Sequence, residues 1–186
     1  PVEPEGPAAP EAPVAPVAPE GPPAPVAPVD PVLPVGPATP DAPVNYLLYS
    51  YEPEEGSKLG TAYTDNFLCK YAPVNSVAYA LKFAGKDGHR FDAFGVIEAL
   101  RRFEREGLPV RIFGFPAFLY FTLEQMRELG IPPLKLHPDS MTFLGGGWKG
   151  HQGKAIAKSA LYSLAHEMLG IPEARLRDGF GSVEHC

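Results

Sequence analysis

Proline stands at every third position from Pro1 to Pro43, with Pro23 as an extra, and that spacing forbids both helix and central strand. Each ring fixes its own φ, removes a backbone donor and pushes the preceding residue out of the α region. A period of three matches polyproline II, which places the rings on one edge and leaves the backbone solvated. Glycines at positions 6, 21 and 36 add a fifteen-residue super-period, but glycine is not at every third place, which excludes collagen. Residues 1–43 therefore read as a Pro/Ala/Val-rich low-complexity spacer, a disordered or polyproline II arm, and residues 44–186 as the folding part.

Charge divides at the same place. The arm carries six carboxylates (Glu3, Glu5, Glu11, Glu20, Asp30 and Asp41) and no Lys or Arg, whereas the remainder balances 16 acids against 16 bases. A neutral globular part without a basic run lacks the electrostatic footprint of a nucleic-acid binder. No window approaches the roughly 18 to 20 continuous apolar residues of a membrane span. The start has neither the basic nor the apolar region of a signal peptide, and two cysteines, Cys69 and Cys186, make no zinc pattern. The expectation is a cytoplasmic chain.

After Pro43 the texture alternates. Residues 44–51, VNYLLYSY, read as a strand that Glu52-Pro53-Glu54-Glu55-Gly56 ends. Helical spacing of Leu59, Ala62, Tyr63, Phe67 and Leu68 predicts a helix over 58–71, broken by Pro73. A short strand follows over 74–81, then a polar turn at Lys86-Asp87-Gly88. The clearest helix is 93–106, where Val96, Ile97, Leu100 and Phe103 line one face and Gly107 caps the end. Further strands are expected at 109–114, 141–144 and from Arg175 toward Phe180, with helices over 117–129 and 158–169 stopped by Gly130 and Gly170. Strands alternating with helices of this length argue an α/β fold, a mainly parallel sheet flanked by helices.

In such sheets ligands bind beyond the carboxyl ends of strands, which groups three segments: 114–117, 145–149 and 179–184. Glycine permits close approach of the backbone to a ring or phosphate, so Gly145, Gly146 and Gly147 can floor a planar ligand as well as make a tight turn. Trp148 offers an apolar wall and Lys149 a cation, or a core-edge indole beside a solvated ammonium. The segment DGFGSVEHC, residues 178–186, combines the Phe180 ring, Gly181, the Ser182 hydroxyl and the Glu184 carboxylate; a carboxylate there suits Mg²⁺. His185 and Cys186 are neighbours, point apart on a strand and do not make a nucleophile pair. Phe115, Pro116 and Phe118 form a strand-to-helix turn that reads either as core or as an apolar wall for an acyl chain. His89, His137 and His151 share no metal-ligand spacing and read as surface or loop residues. Neither G-x-G-x-x-G nor a phosphate-loop G-x-x-x-x-G-K-[ST] occurs, so a dinucleotide oxidoreductase is disfavoured.

The ordered set "NYLLYSYEPEEGSKLGTAYTD", "GFPAFLY", "LHPDSMTFLGGGWKGH" and "ARLRDGFGSVEH" resembles the acyl-protein synthetases of bacterial bioluminescence operons, the LuxE-like family. More distantly it is similar to the phenylacetate-CoA ligase branch of acyl-adenylate-forming enzymes. The resemblance covers about residues 44 to 185 and implies the N-terminal domain of such a ligase. It implies ATP-dependent activation of a fatty acid as acyl-AMP, with transfer to a protein thiol such as that of a fatty-acyl reductase. It gives Gly145, Gly146 and Gly147 to adenine, makes Phe180 the ring partner and Gly181 the close-approach glycine, and links Glu184 to Mg²⁺.

Val183 takes the place of a family threonine unless Ser182 substitutes for its phosphate contact. The family's phosphate loop would precede "NYLLYSY", where this sequence has the proline repeat. Its catalytic lysine and acyl-accepting cysteine belong to a smaller C-terminal domain beyond Cys186. The expectation is thus a domain incomplete at both ends, inactive by itself, with Cys186 not the acyl acceptor. Two alternatives stand beside it: a related aryl- or acyl-CoA ligase, and a non-catalytic module whose proline arm is offered to an aromatic groove.

Overall fold

A computed structural model describes residues 42–54, 69–70 and 72–179, all within the unit that runs from Gly36 to Cys186. The proline arm and most of the helix expected over 58–71 lie outside these residues; of that helix only Cys69 and Lys70 are described, and they form a turn.

The fold is α/β. Six strands, β1 (Val44–Tyr51), β2 (Val74–Phe83), β3 (His89–Phe91), β4 (Val110–Gly114), β5 (Met141–Leu144) and β6 (Leu176–Asp178), form one sheet in the order β3-β2-β1-β4-β5-β6. All neighbours are parallel except β2 and β3. Among the described residues three helices flank it: α1 (Ala93–Glu106), α2 (Pro116–Glu128) and α3 (Lys158–Leu169). The chain builds to one side of β1 with β2 and β3, then returns and builds to the other with β4, β5 and β6. The reversal lies between the carboxyl ends of β1 and β4, where open α/β sheets hold their ligands.

Local chemistry explains each boundary. Asp92 starts α1 by accepting a hydrogen bond from Gly95 N (2.9 Å), and Gly107, with φ of 65°, ends it in the left-handed conformation. Pro116 begins α2 at a position whose N–H would be unpaired in any helix. Gly170, φ 70°, stops α3. Central β1 is apolar almost throughout because it is covered on both faces. On one face Leu47 and Tyr49 join Leu100 and Phe103 of α1, Leu119, Leu123 and Met126 of α2 and Leu169 of α3. On the other, Val44, Tyr46, Leu48 and Phe113 form a smaller cluster with Cys69, Ala72 and Tyr79 against it.

Two sequence expectations are corrected here. Strand β2 continues to Phe83, past the expected end at Leu81, because β3 pairs with Leu81, Lys82 and Phe83. That antiparallel β3 has no counterpart in the sequence reading. Of the three histidines, His137 and His151 stand in loops, as expected, and His89 lies in β3; all three are partly buried. His151 stands edge-on between Phe118 and Phe121 (5.7 and 5.0 Å), His89 meets the Glu52 carbonyl through Nε2 (2.7 Å), and His137 Nδ1 accepts from Asp139 N (3.1 Å).

Most buried polar groups are paired. Asn45, fully buried, donates to Glu106 (2.8 Å) and accepts from Asn75 (2.9 Å), and Ser140 Oγ accepts from Val110 N (3.0 Å) at the start of β4. Tyr49 is different. Its hydroxyl is fully enclosed without a well-formed hydrogen bond; neighbouring Thr122 donates its own proton to the Phe118 carbonyl (2.9 Å) and lies close enough only to act on the Tyr49 hydroxyl weakly. Burial raises the Tyr49 pKa well above a phenol's ordinary value, and the Thr122 hydroxyl offsets only part of the rise. Removing this oxygen at nearly constant volume should leave stability unchanged or raise it, by up to about 1 kcal/mol. Urea denaturation of Tyr49→Phe checks this, and a loss beyond about 1 kcal/mol would reveal a buried partner for the hydroxyl.

Candidate functional site

The carboxyl ends of β4, β5 and β6 finish at one level, because Gly114 pairs with Leu144 and Leu144 with Asp178. Each strand then turns on a glycine. Gly145 N donates to Gly114 O (2.9 Å), and Gly179 N donates to Leu144 O (2.7 Å), so the three turns are bonded into one rim. The approach is close enough that a Cβ on Gly145 would stand 2.9 Å from Gly179 O. Glycine at these strand ends is what lets three backbones converge.

The segment after β5 is a tightly wound loop. Gly146, Gly147, Lys149 and Gly150 all have positive φ (75°, 66°, 44° and 83°), and Lys149 is the only non-glycine residue in this region of the map among the described residues. Two aromatic contacts hold the loop against α2: Trp148 on Tyr120 (5.8 Å) and His151 in its slot between Phe118 and Phe121. These contacts account for α2 being apolar on nearly every side. One face enters the core and another receives the loop.

Under the loop lies a cavity of about 280 Å³. Gly145, Gly146 and Gly147 line it with Trp148 and Pro116, and Leu144, Ile156 and Leu161 supply apolar surface. Lys158, Tyr162 and Asp178 complete it. The Asp178 carboxylate accepts from Lys158 Nζ (2.7 Å) and from the Tyr162 hydroxyl (2.5 Å). Burial alone would raise the Asp178 pKa, but hydrogen bonds from Lys158 and Tyr162 and the charge of Lys158 outweigh it, holding the group below the usual carboxylate range. Tyr162 moves the other way, raised first by burial and then by its bond to Asp178 and by that residue's charge. At neutral pH the cavity therefore presents a fixed carboxylate and a neutral phenol together with bare glycine backbone.

The structure brings together Gly145, Gly146, Gly147, Trp148 and Pro116 of the residues singled out in the sequence. It gives Phe115 and Phe118 to the core, 5% and 9% exposed, so neither lines the cavity. Lys149 also faces away from the lining, its ammonium over the Phe115 ring at 4.5 Å. Phe180, Gly181, Ser182 and Glu184, with His185 and Cys186, lie outside the described residues. Among the described residues no group of three or more His, Cys, Asp or Glu is placed to hold a metal ion, and no helix is long and apolar enough to cross a membrane.

The Lys158, Tyr162 and Asp178 cluster is absent from the sequence reading. One signal was available: positions 158, 161 and 162 share one face of α3, and Asp178 is the last residue of a strand that ends at the glycine rim. Compared with protein-family models, curated proteins and solved structures, the chain gives no match.

Proposed function

We propose that the rim of Gly114, Gly145 and Gly179 encloses the base of an adenylate, and that the chain belongs to acyl-adenylate chemistry. In this reading a fatty acid carboxylate attacks the α-phosphate of ATP and pyrophosphate leaves; a protein thiol then attacks the acyl carbon of the acyl-AMP, forming the thioester as AMP leaves. The observation that carries the reading is the cavity at the carboxyl edge of β4, β5 and β6, with glycine backbone on one side and Trp148 and Tyr162 beside it. Its volume is near the lower bound of small-molecule pockets, about 300 Å³, which suits a planar base with the sugar, phosphates and acyl chain outside.

The parts are assigned as follows. Gly145, Gly146 and Gly147 take the flat face of the base, and Trp148 limits its depth. Asp178 is an acceptor for an exocyclic amine, held in place by Lys158 and Tyr162. Lys149, its ammonium 4.5 Å over the Phe115 ring, is the cation available to a phosphate that leaves the rim. Glu184 would hold the Mg²⁺ that accompanies ATP. An acyl-accepting protein, a fatty-acyl reductase by resemblance, and a cytoplasmic location complete the reading.

The chain contains a single tryptophan, so its emission reports on this cavity alone. Titration with a non-hydrolysable fatty acyl-sulfamoyl adenosine should change Trp148 fluorescence saturably. The guanosine counterpart and the free fatty acid should leave it nearly flat. A folded sample whose emission answers none of the three, or all alike, would remove the adenylate reading.

A further inference from the structure

The amino ends of β4, β5 and β6 lie at the opposite edge of the sheet from the glycine rim, and a second group of polar side chains gathers there. Arg111 is the second residue of β4, Asp139 stands just before β5, and Arg175 directly precedes β6. The three meet. Arg111 Nη1 donates to the Asp139 carbonyl (2.5 Å), and Arg175 Nη2 donates to the Asp139 carboxylate, with which it forms an ion pair. Asp139 itself is buried, and its N–H donates to His137 Nδ1 (3.1 Å).

Two guanidinium groups thus share one carboxylate. Arg111 is partly buried and makes no ion pair of its own among the described residues. Burial draws its pKa below a guanidinium's ordinary value; Tyr46 and Asp139 oppose the fall, and the charge of Arg175 adds to it. A cation withdrawn from water beside a second cation is costly until an anion neutralises the pair. The bonds to Asp139 engage one N–H of each guanidinium, and each group has five.

Strand alternation fixes which way the cluster faces. Ile112 and Leu176 enter the core on the helix-covered side, so Arg111 and Arg177, their neighbours, point to the other face, and Arg175 joins them there through Asp139. On that face Arg111 stands opposite Met141, and Arg177 opposite Phe143. The Arg175 side chain is 43% exposed and Phe143 40%, so solvent reaches both rows. Arg177 also makes no ion pair among the described residues, and its charge reaches Tyr162 round the edge strand. Asp178 belongs to the opposite face, where Lys158 and Tyr162 hold it. Three guanidinium groups against Asp139 leave an excess of two positive charges among the described residues of this face.

We infer that Arg111 and Arg175, with Arg177 one row along, form a site for a phosphate dianion, free or as the monoester of a small molecule. A phosphate group has oxygens enough for two guanidinium forks, and its charge of nearly −2 at neutral pH matches the excess, which a monocarboxylate would only halve. Asp139 anchors both arginines from the buried side. Met141 and Phe143, in register with Arg111 and Arg177, give apolar surface to the alcohol part of an ester. The site does not rest on the adenylate reading, since none of its residues lines the cavity under the glycine loop.

The probes are inorganic phosphate and phenyl phosphate, titrated calorimetrically into the full chain at constant ionic strength. Each should bind at one site, with saturation below about 5 mM. Tighter binding of phenyl phosphate identifies an ester as the ligand, and equal binding identifies the free ion. Arg175→Gln should weaken both by at least about ten-fold, the weight of a charge-assisted bond. Because that change also strips buried Asp139 of its ion pair and can unsettle the fold, Arg177→Gln is made beside it. Arg177 is exposed, so this variant should melt with the parent and still bind about three-fold more weakly. Saturating fatty acyl-sulfamoyl adenosine should leave phosphate binding as it was. The inference is overturned if neither probe saturates, if Arg177→Gln and a folded Arg175→Gln both bind like the parent, or if the adenosine compound competes, which would put the phosphate in the cavity instead.

Discussion

Gly114→Ala should be among the most damaging single substitutions in this chain. Gly114 has a φ of 115°, which an L side chain rarely adopts, and a Cβ there would stand 2.4 Å from the Tyr49 carbonyl oxygen and 2.6 Å from its carbon. Those are backbone atoms of the central strand, and the same carbonyl accepts from Phe115 N (2.9 Å), so they have no freedom to move aside. Backbone strain of this kind costs about 1–3 kcal/mol by itself. With the clash added, the loss should exceed about 3 kcal/mol, a large part of the roughly 5–15 kcal/mol that holds a domain together. Gly147→Ala is the matched control. Its φ is also positive, 66°, but nothing stands within 4 Å of the added Cβ, and the cost should stay near 1 kcal/mol. Chemical denaturation of the two variants side by side decides the matter. Equal losses would mean that the close approach of β4 to β1 is not a constraint on the fold.

Gly146→Val should abolish adenylate binding while sparing most of the fold. Gly146 has a φ of 75°, and its Cβ would meet the Phe115 ring at 2.8 and 2.9 Å and the Lys149 Cε at 3.3 Å. A β-branched residue is the poorest choice for that backbone, and Phe115 is packed in the core and cannot withdraw. The loop must therefore leave its place. Because Trp148 travels with it, emission should change in the variant before any ligand is added. A second substitution separates this cause from simple crowding of the cavity. Phe115→Leu, made on Gly146→Ala, should recover part of the binding lost in the single alanine variant if the ring is what the new Cβ strikes. Losses that add without any recovery would place the damage elsewhere.

Much of the fold was legible because its punctuation is local. Helix α1 runs over the residues expected, since the apolar spacing and Gly107 each mark it independently; β5 and α3 likewise. Strand β3 was not legible. His89-Arg90-Phe91 has no strand character of its own, and it extends only because Leu81 to Phe83 offer a partner. That is a tertiary pairing imposed on a neutral sequence.

The site divides in the same way. Glycines placed directly after strands could be grouped from the sequence, because the topology of a parallel sheet carries every such turn to one edge. Lys158, Tyr162 and Asp178 carry a fainter signal, the shared face of α3 and the end of β6, since they come from a helix and a strand separated by Gly170 and join only in the folded chain. Phe115 and Phe118 illustrate the reverse error of scale. An aromatic run after a strand looks the same whether it walls a ligand or fills a core, and here α2 is covered by the core on one side and by the loop on another.

Isothermal titration of the full chain with a fatty acyl-sulfamoyl adenosine, run beside Trp148→Ala and Tyr162→Phe, tests the central claim most directly. Trp148 and Tyr162 line the cavity from two separate elements, and neither belongs to the fully buried core. The account predicts one-site binding to the parent chain, at least about ten-fold weaker in each variant, with all three chains melting together. Binding that is equal in the parent and both variants would contradict it, because the adenylate would then occupy some place other than the glycine rim.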